Sequence, residues 1–84
     1  MKEFKDLKFE PHSLGGSHAV INFKNGYGAS ILVGKRFYSN GIDTYELAVL
    51  KDGRLCYDTY ITNDVIGRIT KDEVTALMIQ IQSL

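Results

Sequence analysis

The chain has a single cysteine, a single proline, no tryptophan and no net charge, and each scarcity excludes something. With Cys56 alone there is no intrachain disulfide to brace the fold, which points to a reducing, cytoplasmic setting. Cys56, His12 and His18 fall short of the four ligands a structural zinc takes, so neither a metal nor a cofactor is expected. One proline is too few for a linker-like or disordered chain. Ten basic and ten acidic residues cancel, leaving no surplus for gripping nucleic acid and none for mimicking it. No run approaches the ~20 apolar residues of a membrane-spanning helix. The opening MKEFKDLKFEPH lacks the apolar stretch of a signal peptide, so no membrane partner is expected. A chain of 84 residues buries only about 60–65% of its unfolded surface. With disulfide and metal set aside, association with another chain remains as the stabilising device.

The stretch that organises the rest is HAVINFKNGYGASILV, residues 18–33. Asn25-Gly26 between two runs rich in β-branched and aromatic residues predicts a β-hairpin with a two-residue turn, because Asn and Gly best tolerate the positive φ that such a turn needs. That register sets Lys24 opposite Tyr27, Phe23 opposite Gly28, Asn22 opposite Ala29, Ile21 opposite Ser30 and Val20 opposite Ile31. One face then carries Ala19, Ile21, Phe23 and Leu32, and the other carries Val20, Tyr27, Ala29, Ile31 and Val33. A hairpin apolar on both faces needs cover on both, and one helix of the same chain supplies one. NGYG lacks the spacing of a phosphate-binding glycine loop, so its glycines read as turn chemistry.

Upstream, Leu7 and Phe9 alternate with Lys8 and Glu10 and Pro11 closes the pattern. Residues 1–17 therefore read either as a short extra edge strand or as a flexible lead-in, with Gly15-Gly16 as the soft point of a loop. Downstream, Gly34 predicts a bulge. Asn40-Gly41 and Asp52-Gly53 predict two further hairpin turns, around strands at 44–50 and 55–61. Tight pairing places Lys35 opposite Glu46, Val49 opposite Cys56, Leu50 opposite Leu55, Leu47 opposite Asp58 and Tyr45 opposite Tyr60. TNDVIG (62–67) reads as a single helical turn or tight loop. Thr70-Lys71-Asp72-Glu73 is a capping box, Ile69 is placed to staple onto Val74, and Val74, Leu77, Met78 and Ile81 form a helical stripe. The expected fold is a single α+β domain: an antiparallel four-stranded β-meander with a C-terminal amphipathic helix on one face.

Catalytic chemistry is sparse. No nucleophile elbow occurs, both histidines lie on or beside a glycine-rich loop, and Cys56 falls mid-strand as a small hydrophobe does. Glu46 and Asp58 point to opposite faces in the strict register. An enzyme is not expected. The aromatics are more telling. Tyr27, Tyr38, Tyr45, Tyr57 and Tyr60 fall in or beside the sheet, with Arg36 among them, and tyrosine suits interfaces because a rigid apolar ring ends in a polar tip. The basic-aromatic run Lys35-Arg36-Phe37-Tyr38 resembles a single-strand nucleic-acid platform, but one such run on a neutral chain makes nucleic acid a disfavoured partner.

NGYGAS (25–30), FYSNG (37–41), DTYELAVL (43–50), ITNDVIG (61–67) and TKDEV (70–74) together resemble a group of small uncharacterised proteins encoded by bacterial viruses, over most of residues 18–84. The resemblance implies a short phage gene product in the host bacterial cytoplasm and carries no functional residues with it. The resulting expectation is a non-enzymatic accessory protein, homodimeric, binding a host or phage protein through a sheet face or edge with Tyr27, Arg36, Tyr38, Tyr45, Tyr57 and Tyr60 as candidate contacts. The alternative is a small-ligand or nucleotide-binding module with a pocket at a homodimer interface, lined by Tyr27, Arg36 and Tyr45.

Overall fold

The structure is a computed structural model describing residues 1–84. It is an α+β fold in which strands β1 (Glu10–Pro11), β2 (Ser17–Asn22), β3 (Tyr27–Val33), β4 (Tyr45–Lys51) and β5 (Arg54–Leu55) follow one another as an antiparallel meander. A sixth strand, β6 (Ile66–Ile69), returns to pair with β4 on the same side as β5. Helix α1 (Lys71–Gln82) closes the chain and packs on one face of β3 and β4.

The helix begins where its sequence says it should. Glu73 N donates to Thr70 Oγ1 at 3.3 Å and Thr70 N donates back to Glu73 Oε1 at 3.0 Å, which completes the capping box. Ile69 and Val74 meet in the core as the staple requires. Val74, Met78 and Ile81 are fully buried against Ala29, Ile31, Leu47 and Val49, which are fully buried too. Each of the larger side chains contributes about 1.5–3 kcal/mol by leaving water.

The central hairpin forms, but one residue out of the predicted register. Phe23 N donates to Tyr27 O at 2.7 Å and Gly26 N to Phe23 O at 3.2 Å, so the loop is Lys24-Asn25-Gly26, three residues long. Only Gly26 takes positive φ, at 87°, and Asn25 does not. This is a turn closed by a left-handed glycine rather than a two-residue turn. Ile21 therefore stands opposite Ala29, Ala19 opposite Ile31, Val20 opposite Ser30 and Asn22 opposite Gly28. A one-residue slip exchanges faces. Ala19, Ile21, Ala29 and Ile31 all share the helix face, and the opposite face carries His18, Val20, Asn22, Gly28, Ser30 and Leu32. The hairpin is thus apolar on one face and mixed on the other, because this register gathers the apolar positions under a single cover.

The Asp52-Gly53 turn is as predicted. Both residues have positive φ, 52° and 81°, Leu50 pairs with Leu55, and Cys56 N donates to Val49 O at 2.9 Å. The predicted strand over 55–61 does not continue past Leu55. Continuing it would set the Asp58 carboxylate opposite Leu47, on the core face, where an unpaired charge is costly. The chain leaves instead, and β6 brings Ile66 opposite Leu47 and Ile69 opposite Tyr45. TNDVIG accordingly ends in strand rather than closing as a helical turn.

At Asn40-Gly41 the expected tight hairpin is replaced by an eleven-residue excursion, 34–44, between β3 and β4. Buried Ser39 organises it: Gly34 N and Gly41 N donate to Ser39 Oγ, which donates to Thr44 O at 2.6 Å. Asn40 Oδ1 accepts from the N–H groups of Ile42, Asp43 and Thr44. Leu32, not Lys35, stands opposite Glu46, so the predicted Lys35–Glu46 pair does not form. Residues 1–9 lie along α1 in place of a free lead-in. Phe4 N donates to Thr75 Oγ1 at 2.9 Å, Lys2 and Gln82 exchange two hydrogen bonds, and Phe4, Leu7 and Phe9 pack on the core.

Candidate functional site

The six candidate contacts fall into two groups. Tyr27 and Tyr45 face the helix: both pack on the core, Tyr27 lies under Lys51 Nζ at 4.1 Å from its ring centre, and Tyr45 meets Phe4 at 5.1 Å and Phe9 at 6.0 Å between ring centres. Ile31 pairs with Leu47, so Tyr45 is level with Val33, at the far end of β3 from Tyr27. Six residues of strand, roughly 20 Å, lie between those levels. Within one chain, Tyr27 and Tyr45 therefore do not share a pocket.

Tyr38, Tyr57, Tyr60 and Arg36 are exposed. Tyr38 and Arg36 belong to the 34–44 excursion and Tyr57 and Tyr60 to the 56–65 excursion, the segments on either side of the paired β4–β5–β6 edge. The first is tied to that edge directly. Arg68 N donates to Tyr38 O at 2.8 Å and Tyr38 N donates to Glu46 Oε1 at 3.1 Å. Gly67 lies beneath Tyr38 so closely that a methyl group on it would collide with Tyr38 Cβ. Ile42 on the first excursion, 80% exposed, and Leu55 on β5, 60% exposed, also hold large apolar side chains in water, and neither was among the candidates. Sequence reasoning also missed Arg68, exposed and held at φ 55° where β6 departs from regular pairing with β4. Nothing in the local pattern IGRIT distinguishes that arginine from an ordinary strand residue.

The mixed face of the sheet has no helix over it. Ala48 and Leu50 are nonetheless almost closed off, at 5% and 6% exposure, whereas Val20 at 55% and Leu55 at 60% stand out from its flanks. The edge of β2 is open beyond its first two residues, because β1 pairs only with Ser17 and His18. With Phe23–Tyr27 a hydrogen-bonded pair, alternation turns the N–H and C=O groups of Val20 and Asn22 outward.

The reactive side chains are dispersed. Cys56 is half-buried against the core. His12 Nδ1 accepts from Leu14 N at 3.0 Å, and the His12 ring meets His18 edge-on at 5.2 Å and Phe37 at 5.0 Å. His18 Nδ1 is buried without a hydrogen-bond partner. Glu46 is engaged by Tyr38, and Asp58 is exposed on the 56–65 excursion. No three His, Cys, Asp or Glu side chains cluster as metal ligands would, and no helix is long and apolar enough to cross a membrane.

No protein-family model, curated protein or solved structure matches the chain.

Proposed function

We propose that this is a non-enzymatic accessory protein of phage origin, working in the bacterial host cytoplasm by binding a host or phage protein through the surface along the β4–β5–β6 edge. One observation carries the reading. Tyr38 (59%), Ile42 (80%), Leu55 (60%) and Tyr60 (77%) all hold large apolar surface in water on segments bordering that edge. Such side chains supply rigid contact area at small entropic cost, and Arg36 and Arg68 nearby offer the polar anchors that interfaces favour. The loop carrying Tyr38 and Ile42 is braced by Ser39, Asn40 and the Tyr38–Arg68 bond.

The test is comparative capture from bacterial host lysate with three immobilised chains. These are wild type, a Tyr38→Asp/Tyr60→Asp variant, and Ile79→Asp on the outer side of α1 as a control. A protein retained by wild type and by Ile79→Asp but lost from the tyrosine variant supports the reading. Identical captured sets for all three exclude this surface.

Self-association is part of the same proposal. The open stretch of β2 at Val20–Asn22 favours a homodimer in which two such edges pair antiparallel about a twofold axis. Sedimentation of wild type against Val20→Pro checks it, since proline removes an outward donor and leaves no strand to extend. A wild-type monomer at micromolar concentration refutes the dimer without touching the partner surface.

A further inference from the structure

The turn joining β1 to β2 and the start of the 34–44 excursion lie backbone against backbone, beside a shallow, open hollow of about 310 Å³ lined by Leu14, Gly15, Gly16, Gly34, Gly41, Lys35 and Arg36. Glycine is required at the seam: a Cβ on Gly16 would run into the Val33 carbonyl, and one on Gly34 would come within 3.1 Å of Gly16 Cα. Gly15 and Gly16 are successive left-handed residues, at φ 90° and 70°. Four of its seven lining residues are glycines that leave main chain bare, Leu14 is its one apolar side chain, and its charged side chains are both cationic; no carboxylate lines it. The main-chain N–H groups of Gly16, Lys35 and Arg36 have no acceptor within the chain.

We propose that this hollow binds a phosphate group carried by a small molecule. Phosphate oxygens need several donors at short range, and glycine-lined main chain lets an anion approach N–H groups that side chains would screen. Arg36 supplies a planar fork matched to two phosphate oxygens, and Lys35 a compact charge beside it. The volume lies at the small end of ligand pockets, which suits a phosphate or diphosphate rather than a whole nucleotide. A larger hollow, about 640 Å³, lies among Lys2, Lys5 and Lys24 but shares its charge with Asp6, and it serves as the internal control. The site shares Arg36 with the partner surface but stands on its own observations, and the two are tested by different measurements.

The experiment is an amide NMR titration of the full chain with pyrophosphate at constant ionic strength. Saturable shifts are expected at Gly16, Lys35 and Arg36. Arg36→Ala should weaken binding by about tenfold, and Lys24→Ala should leave it unchanged. Both lining cations are exposed, so the remaining resonances should report an intact fold. ADP titrated in parallel separates free diphosphate from its nucleoside ester. Equal affinity assigns recognition to the diphosphate alone, and tighter binding assigns part to the nucleoside; both uphold the site. Absence of saturation at concentrations well above roughly 1 mM, or shifts centred on Lys2, Lys5 and Lys24, overturns it.

Discussion

The side-chain amide of Asn25 donates to the carbonyl of Ile81 at 2.9 Å, joining the tip of the central hairpin to the last turn of a helix 56 positions away. Asn25 Nδ2 also reaches Leu84 O at 3.4 Å while its Oδ1 accepts from Tyr27 N at 3.1 Å. One side chain thus closes the hairpin loop and adds a second donor to the Ile81 carbonyl, which also accepts from Leu84 N at 3.2 Å, at a helix terminus whose last carbonyls lack the usual in-helix partners.

Asn25→Asp is expected to lower stability by about 1–3 kcal/mol. The aspartate keeps the acceptor for Tyr27 N but sets a carboxylate against the carbonyls of Ile81 and Leu84, at the negative end of the helix dipole. Urea unfolding monitored by circular dichroism measures it. Stability unchanged within error means that the latch contributes nothing.

Gly67→Ala should cost about 1–3 kcal/mol, as overpacking of a close contact does. The added methyl displaces Tyr38 and with it the bond from Arg68 N to Tyr38 O. In a Tyr38→Gly background most of that cost should vanish. A double-mutant cycle with no interaction energy refutes the contact.

Arg68→Gly is expected to raise stability by roughly 0.5–1 kcal/mol. At φ 55° a residue with a Cβ carries about 1–2 kcal/mol of strain, against a smaller entropic loss for glycine. A fall in melting temperature would show instead that the arginine side chain contributes more to the fold than its backbone strain takes away.

Thr70→Ala should cost about 1 kcal/mol and Thr70→Ser little, because the hydroxyl that accepts from Glu73 N is kept in serine. Equal losses for both variants would assign the effect to packing of the threonine methyl.

Short-range chemistry was sufficient for the Asp52-Gly53 turn, the capping box at Thr70, the helical stripe from Val74 to Ile81 and the α+β class. Each of the local features rests on residues within a few positions of one another along the chain, so the pattern holds wherever the segment lies. The register at Asn25-Gly26, the early end of the strand after Leu55 and the recruitment of Ile66–Ile69 were not legible that way. The first puts Ile21 and Ala29 on one face, beside an asparagine tied to a helix far along the chain. The others follow from which face Leu47 turns to the core, since that makes Asp58 unwelcome beside it and Ile66 a fit partner. Among the candidate contacts, tyrosine content marked an interface-prone chain. Packing alone sent Tyr27 and Tyr45 to the core side of the sheet and left Tyr38, Tyr57 and Tyr60 in water, because an aromatic ring is equally suited to either environment until the surrounding elements are in place.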